Sequence, residues 1–278
     1  MIFDGTEEFY TDDFMFDVMG IEELPSVLYQ YTSADSLEKI LASRTLRFSR
    51  LDTVNDPEEA TALDVALASS SVFVSCWSAT ESEQLPMWSM YGQNLCGVRI
   101  GLPTNMFCGR KEPVIFEKGG ALLTVDSWHS ITRKSPAMDT NSCAIIGPNK
   151  VYYSNDPAYR NRRLVYRHSG TAHFCPYDLG MVKGTHWSYE QEWRFKIAAL
   201  NFGAQFPDDD YFNKVTLDFA AFPVEPEALF IPLDPSSLDQ LSVTLGPKAD
   251  DAVAKKVKRI LAEHAPKATL IPSQIRIR

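Results

Sequence analysis

The stretch from Lys183 to Ile197 constrains the fold of this 278-residue chain more than any other part of the sequence. From Trp187 onward, residues of one parity are mostly apolar and residues of the other parity are polar. Such alternation is typical of a β-strand with one packed face and one polar face. The pattern therefore predicts a strand over Trp187–Ile197. The packed parity comprises Trp187, Tyr189, Gln191, Trp193, Phe195 and Ile197.

The polar face of this predicted strand carries two carboxylates, Glu190 and Glu192, which are two residues apart. Both side chains should therefore point the same way. Like charges held that close favour a raised pKa or a bound cationic or donor-rich partner. On periodicity alone, however, the favoured interpretation is an exposed strand face, on which Glu192 and Arg194 are ordinary solvated charges.

Composition places the chain among ordinary globular proteins, with 45% apolar and 23% charged residues. No apolar run approaches the ~20 residues that a membrane-spanning helix needs, and the start of the sequence lacks the pattern of a signal peptide. The five cysteines are scattered and include no C-x-x-C pair, which is typical of reduced thiols. We therefore expect a cytoplasmic protein that makes no membrane contact.

Residues 1–25 differ from the rest of the chain. They contain eight acidic residues and no lysine or arginine, within a net charge of −9 for the whole chain. They also contain several aromatic residues, which a purely disordered tail lacks. We interpret 1–25 as an acidic aromatic arm that packs on its own domain or docks on a partner protein, with simple packing favoured. Residues 26–278 are predicted to form a single domain.

The remaining patterns predict an α+β protein, because the helices do not alternate with the strands as they do in a parallel α/β sheet. The predicted helices are Ser36–Ala42, Glu58–Ala68, Leu85–Tyr91 and Ala249–His264. The predicted strands are Val27–Tyr31, Leu46–Phe48, Ser71–Trp77, Gly97–Leu102, Val114–Phe116, Ala121–Val125, Val151–Tyr153, Trp187–Ile197, Val215–Phe219, Ala228–Ile231, Ser242–Leu245 and a last one within Lys267–Ile277.

One basic stretch, Tyr159–His168, interleaves arginines with aromatic residues. Such a stretch can hold phosphates and stack bases, although a helix with a solvated basic face is the simpler interpretation. Its candidate substrate-binding residues are Arg160, Arg162, Arg163 and Arg167.

Signatures of other catalytic classes are missing from the sequence. His168, His173 and Cys175 lie close together but match no zinc spacing, so no metal is expected. There is no dinucleotide-binding fingerprint, no P-loop and no G-x-S-x-G nucleophile elbow.

A set of short motifs, taken in order, resembles a widespread bacterial domain family of unknown function. The resemblance covers about residues 26–272. The motifs are L-Y-Q-Y-T-S (28–33), R-F-S-R-L-D-T-V-N-D-P-E-E (47–59), S-C-W-S (75–78), M-W-S-M-Y-G (87–92), C-G-V-R-I-G (96–101), W-S-Y-E-Q-E-W-R (187–194) and L-G-P-K (245–248).

The layout of these motifs is similar to that of the ADP-ribosyltransferase-like fold, a split antiparallel β-sandwich with peripheral helices that holds NAD. The resemblance implies that Gln30 opens the site on the first strand, and that Trp77 and Ser78 supply the second motif. It further implies that Glu190-Gln191-Glu192 supplies the third. By this analogy Glu192 is the catalytic carboxylate and Glu190 orients or deprotonates the acceptor. The implied NAD-binding residues are Gln30, Tyr31, Thr32, Asn55, Trp77, Ser78, Trp88 and Tyr91.

The expected function is therefore that of an NAD-dependent ADP-ribosyltransferase-like enzyme, a bacterial toxin or phage-defence effector that modifies a nucleic acid or a protein. Cleaving the nicotinamide–ribose bond develops positive charge on the ribose, which a fixed carboxylate stabilises. The alternative is a non-catalytic module that senses a nucleotide or a protein. In that case Glu190, Glu192 and Arg194 form an ion-pair ladder that holds the sheet together. A nuclease ranks third, because the sequence shows no carboxylate–lysine cluster.

Overall fold

The structure is a computed structural model that describes residues 19–107, 114–118, 121–125, 127–129, 144–161, 163–168, 171–199, 224 and 226–277. Most of the predicted arm 1–25, Arg162 and the predicted strand Val215–Phe219 lie outside the described residues. The described end of the arm, residues 19–25, packs on the domain, since Ile21 is buried in the main hydrophobic core.

The helices are short, and most of them flank the strands. The α-helices are α1 (Ala34–Ser43), α2 (Leu85–Met90), α3 (Pro157–Arg160), α4 (Pro235–Leu238) and α5 (Asp251–His264). Short 3-10 segments cover Leu51–Thr53, Pro57–Ala60, Ala68–Ser71, Pro176–Asp178 and Thr185–Glu190.

Strands account for the central layer. They are β1 (Val27–Thr32), β2 (Thr45–Arg50), β3 (Val72–Ser78), β4 (Val98–Pro103), β5 (Val114–Lys118), β6 (Ala121–Val125), β7 (Ser127–His129), β8 (Ala144–Lys150), β9 (Tyr152–Tyr153), β10 (Val165–His168), β11 (Thr171–Phe174), β12 (Val182–Lys183), β13 (Glu192–Ala198), β14 (Ala228–Pro232), β15 (Ser242–Leu245) and β16 (Thr269–Ile271).

Ten of these strands form one sheet, with the order β16-β15-β4-β1-β3-β13-β8-β7 and with β2 and β14 branching from β3. Two pairs in it are parallel, β15 with β16 and β7 with β8, and the other pairs are antiparallel. Helices flank a largely antiparallel sheet, so the α+β prediction is confirmed.

The sheet divides at β3. One edge of β3 pairs with β13 along its whole length. The other edge pairs with β1 only at Ser78 and with β2 only at Val74 and Phe73. Between these two contacts, this edge of β3 has no strand partner. The Cys76 carbonyl there accepts a 2.9 Å hydrogen bond from Gln30 Nε2 instead. β1 and β2 therefore diverge from β3 and leave a cleft between them.

Helix α1 links the two diverging strands and is fixed from outside by α5. The Lys256 ammonium forms ion pairs with Asp35 and with Glu38, the latter at 3.3 Å, and Arg259 Nη2 lies 3.0 Å from Glu38 Oε1. Leu37 and Leu41 on the opposite face of α1 are buried in the main core. Helix α5 thus supports α1, which forms one wall of the cleft.

Both faces of β13 are buried. Phe195 and Ile197 lie in the main core, as the alternation predicts, and Phe195 packs edge-on against Phe107 with ring centroids 5.0 Å apart. The polar face is equally buried, since Arg194 and Lys196 are each 1% exposed. The expectation of an exposed face with solvated charges is therefore wrong. The segment before β12 covers that face, and no signal within 183–197 reveals this covering.

Gly180 is one of the points at which this covering segment contacts β13. Its φ of +70° lies in the left-handed region, which favours glycine. An added Cβ would lie 2.8 Å from Leu51 Cδ1 and 3.0 Å from Arg194 Nη1. The Gly180 carbonyl instead accepts a hydrogen bond from Arg194 Nη1 at 2.5 Å, which ties the covering segment to the strand.

The predicted strand Trp187–Ile197 is wrong in its first half. Thr185–Glu190 forms a 3-10 segment, Gln191 adopts a left-handed φ of +46°, and β13 begins at Glu192. Apolar and polar residues alternate through this 3-10 segment as they do in a strand. The alternation does not reveal the left-handed turn at Gln191, so the sequence pattern places the start of the strand too early. Glu190 therefore approaches the site from a helical turn and Glu192 from a strand.

The predicted helix Glu58–Ala68 is also wrong beyond its first turn. Asp56 caps a 3-10 turn at Pro57–Ala60, and no helix follows it. The Asp64 carboxylate accepts backbone hydrogen bonds from Leu164 at 2.9 Å and from Val165 at 3.0 Å. These tertiary contacts outweigh the helical preference of the segment.

Candidate functional site

A cavity of about 620 Å³ occupies the cleft where the sheet divides. Its walls are β1 and α1 on one side and β2 on the other. The part of the β3 edge that has no strand partner lies between them. Lys183, Glu190, Glu192 and Arg194 close its inner end together with Glu59 and Tyr91.

Five charged side chains form what we call the floor cluster: Glu59, Lys183, Glu190, Glu192 and Arg194. Their side chains are at most 5% exposed. The cluster contains three carboxylates and two cations, so it has one carboxylate more than it has cations. Buried charges need partners, and the geometry shows which carboxylate is held by which cation.

Glu192 is the most strongly held carboxylate. Arg194 binds it in a bidentate manner, with Nε 2.6 Å from Oε1 and Nη2 2.9 Å from Oε2. The Lys183 ammonium adds a third contact, 3.1 Å from Oε2. Bidentate pairs of this kind are strong and directional. Arg194 and Lys183 therefore neutralise much of the charge of Glu192.

Glu190 has a different environment. Lys183 Nζ lies 2.6 Å from its Oε2, and the Tyr91 hydroxyl donates a 2.5 Å hydrogen bond to Oε1. Asn55 Nδ2 in turn donates to the Tyr91 hydroxyl oxygen at 3.0 Å. Each oxygen of the Glu190 carboxylate thus accepts from one side chain. Tyr91 and Asn55 orient this carboxylate toward the cavity.

Glu59 is the third carboxylate and comes from the turn at Pro57–Ala60. Its Oε2 lies 2.6 Å from Arg194 Nη1 in an ion pair, but neither carboxylate oxygen has a well-aligned hydrogen-bond partner among the described residues. Burial raises the pKa of Glu59 even though Arg194 opposes this shift. Protonation of Glu59 therefore costs less than that of a solvated glutamate.

The pKa values of the other two carboxylates shift in opposite directions, although burial alone raises both. Burial and the charge of Glu192 raise the pKa of Glu190. Burial also disfavours the charge of Glu192, but the pairing with Arg194 and Lys183 outweighs it and lowers the pKa of Glu192 to about 2. Two neighbouring carboxylates with pKa values pushed apart are typical of an acid–base site.

The pH dependence of stability should reflect this difference. As pH falls from neutral, Glu59 and Glu190 gain protons in the folded state before they do so in the unfolded chain, so the free energy of unfolding rises. Between about pH 4.5 and about 2, Glu192 is ionised when folded and protonated when unfolded, so this contribution to stability is lost as pH falls. Urea unfolding across this range should show a maximum at mildly acidic pH.

The matched variant for this measurement is Glu192→Gln, which should lack the loss below pH 4.5 that the Glu192 pKa shift causes. A wild-type stability that falls steadily from neutral pH downward would contradict the prediction.

Six of the eight residues predicted to bind NAD line the cavity, and the structure brings them together with both glutamates. They are Gln30, Tyr31, Thr32, Asn55, Trp77 and Tyr91. Ser78 and Trp88 do not line it. Trp88 is fully buried and donates a 2.9 Å hydrogen bond to Glu83, and Ser78 accepts one from the Thr80 amide at 3.3 Å.

Two of the lining residues are held in ways that the sequence does not show. The Trp77 ring is 2% exposed and packs in the main core, with its Nε1 bound to Ser75 Oγ at 2.9 Å. Gln30 is hydrogen-bonded to β3. Both residues therefore shape the cleft wall.

The described side chains of the predicted basic stretch do not line the cavity. Arg160 ends α3 and forms an ion pair with Glu58, and Arg163 is exposed. Neither lines the cavity. Arg162 and the side chain of Arg167 lie outside the part of the chain that the structure describes. The interpretation of the whole stretch as a basic helix is wrong, because only Pro157–Arg160 is helical and β10 begins at Val165.

Sequence reasoning missed Glu59 and Lys183. Both were within quoted stretches, the N-D-P-E-E motif and the start of the Lys183–Ile197 segment, but no spacing links them to Glu190 or Glu192. Together with the two predicted glutamates they form a carboxylate–lysine cluster. Within the described residues, however, no three His, Cys, Asp or Glu side chains are grouped as metal ligands.

A family model described as "Protein of unknown function (DUF2971)" matches residues 87–195. This match supports the resemblance to a domain of unknown function. It includes Tyr91, Lys183, Glu190, Glu192 and Arg194, while Gln30 and Glu59 precede it. No curated protein and no solved structure matches the chain. No helix in the described ranges is both long and apolar enough to cross a membrane.

Proposed function

We propose that the protein is an NAD-dependent ADP-ribosyltransferase-like enzyme, a toxin or phage-defence effector that acts on a nucleic acid or a protein. One observation carries the proposal. The three predicted motif strands, β1, β3 and β13, are neighbours in the sheet, and Gln30, Trp77 and Glu192 line one cavity where the sheet divides. Motifs that are far apart in sequence thus meet at one site, which supports the proposal.

The size and lining of the cavity are compatible with this substrate. A cavity of about 620 Å³ lies within the range typical of small-molecule and cofactor sites. Tyr29, Tyr31 and Tyr91 give it aromatic surface, and Thr32 and Asn55 supply polar groups for hydrogen bonds.

The proposed chemistry assigns separate tasks to the two glutamates. The nicotinamide–ribose bond breaks and its electron pair leaves with neutral nicotinamide, while the excess negative charge of the floor cluster stabilises the cationic ribose. The acceptor hydroxyl or amine attacks the ribose carbon, and its proton passes to Glu190. Glu190 suits this role because it keeps a free lone pair on each oxygen and has a raised pKa. Glu192 supplies fixed charge and holds Lys183 in place.

The alternative function is a non-catalytic module that senses a nucleotide or a protein. The observation that favours it is the bidentate pairing of Glu192 with Arg194 and its third contact with Lys183, which leave little free charge on that carboxylate. In that case the floor cluster holds the covering segment to β13, and the cleft binds its ligand without cleaving it.

The decisive test is release of nicotinamide from NAD by the purified protein, with RNA, DNA or cell lysate as acceptor. NAD labelled on its adenylate part then marks the modified acceptor. We expect release that depends on folded protein, together with label on one acceptor class. Binding of NAD without release would favour the sensing module, and absence of both binding and release would contradict the proposal.

A further inference from the structure

The outer half of the cleft differs in charge from its floor. The acidic residues that line the cavity are Glu59, Glu190 and Glu192, and all of them belong to the floor cluster. The outer half has two cations, Lys39 and Arg47, among side chains that mostly carry hydroxyl groups. The cavity therefore runs from an acidic inner end to a basic outer end.

Both cations point into the cavity because of the elements that carry them. Ser36, Lys39 and Ser43 are spaced three and four residues apart on α1 and share one helix face. Thr45, Arg47 and Ser49 alternate along β2 and share one strand face. The two faces are opposite walls of the same cleft.

Lys39 and Arg47 make no direct contact with a carboxylate among the described residues, although the Lys39 charge also acts on Asp35, one turn earlier on α1. Both side chains are exposed, and neither forms an ion pair or a side-chain hydrogen bond with any residue that the structure describes. Lys256 and Arg259 on α5, by contrast, form ion pairs with the acids of α1. Two unpaired cations facing one cavity favour an anionic ligand.

An exposed aromatic ring lies beside them. Phe230 on β14 is the cross-strand partner of Arg47 on β2, so their side chains lie on the same face of the sheet. Phe230 lines the cavity and is 54% exposed, which is unusual for a side chain of this size. An aromatic face next to an arginine is suited to stacking a base.

We infer that the outer half of the cleft is a nucleotide subsite, in which Lys39 and Arg47 bind the diphosphate and Phe230 packs against the base. This inference rests on the proposed function for its orientation, with the ribose that reacts at the floor cluster and the adenosine diphosphate part at the mouth. Arginine and lysine are the usual protein partners of phosphate oxygens. A concave site between a helix and a strand suits a small ligand rather than a flat macromolecular surface.

The test uses ADP, which carries the diphosphate and the base but has no nicotinamide bond to cleave. Isothermal titration should show binding to the wild type, about tenfold weaker binding to Lys39→Ala and to Arg47→Ala, and weaker binding still to the double variant. Phe230→Ala should weaken ADP and adenosine alike, whereas the two cation variants should affect ADP alone. Binding of ADP should also weaken as salt concentration rises.

Lys258→Ala is the matched control, because Lys258 is an exposed cation on α5 outside the cavity. It should bind ADP as the wild type does. The three cleft side chains are exposed, so their replacement should leave the fold intact, which the thermal midpoint of each variant checks.

The outcomes separate this inference from the proposed function. Absence of ADP binding, or equal affinity of all variants, overturns the subsite. ADP binding that depends on Lys39 and Arg47 without any NAD cleavage supports the subsite and contradicts the transferase. Cleavage of NAD with an unchanged KM in the double variant supports the transferase and overturns the subsite.

Discussion

Arg194→Met is expected to lower the thermal midpoint of unfolding by roughly 10 °C, which corresponds to a loss of about 3–5 kcal/mol. The guanidinium of Arg194 holds Glu192 through two hydrogen bonds, pairs with Glu59, and donates to the Gly180 carbonyl. Its removal leaves the three carboxylates of the floor cluster buried with Lys183 as the one remaining cation of that cluster. It also removes the hydrogen bond that ties Gly180 of the covering segment to β13. Calorimetry and urea unfolding measure the effect.

Arg259→Met is the matched control. Arg259 also forms an ion pair with a glutamate, Glu38, but its side chain is 62% exposed, and such pairs contribute about 0–1 kcal/mol. The thermal midpoint should hardly change in this variant. Equal effects of the two substitutions would show that the floor cluster contributes no more to stability than a surface pair does.

Glu190→Gln is expected to lower the rate of ADP-ribose transfer to the acceptor by about a hundredfold or more, with little change in KM, because the variant lacks the proton acceptor. The fold should tolerate the change. Lys183 keeps its contact with Glu192, and the loss of one carboxylate leaves two carboxylates facing two cations. Steady-state kinetics and the thermal midpoint test both parts of the prediction. Wild-type turnover by Glu190→Gln would exclude Glu190 as the base.

Tyr91→Phe distinguishes a base from a merely structural carboxylate. The hydrogen bond from Tyr91 lowers the pKa of Glu190 against the effect of burial. Without this hydrogen bond the pKa of Glu190 rises further. As pH is lowered, the rate of Tyr91→Phe should therefore begin to fall at a higher pH than the rate of the wild type, if the rate depends on ionised Glu190. An unchanged pH–rate profile would contradict the assigned role.

The local sequence pattern was sufficient to predict the packed face of β13. Trp193, Phe195 and Ile197 repeat with the period of a strand, and their burial follows from that period alone. The grouping of Gln30, Asn55 and Tyr91 at one site was an implication of the motif resemblance and not of any local pattern, and the fold brings these three residues into one cavity.

The remainder depends on contacts that no local pattern encodes. The polar face of β13 is buried because a separate segment passes over it at Gly180, and the alternation of 187–197 is the same whether that segment is present or absent. The start of β13 depends on the left-handed turn at Gln191. Glu59 and Lys183 enter the site through tertiary contacts, and so they carry no signature in a single sequence.

The division of the sheet at β3 has a consequence for synthesis. Tyr91 and Glu190, which meet in the cavity, are 99 positions apart along the chain. β3 lacks its full-length partner until β13 has been made, and β4 lacks β15 until later still. A nascent chain that has left the ribosome only as far as β4 therefore has the walls of the cleft without its floor. Whatever chemistry the floor cluster performs therefore begins only after β13, Glu192–Ala198, has been made.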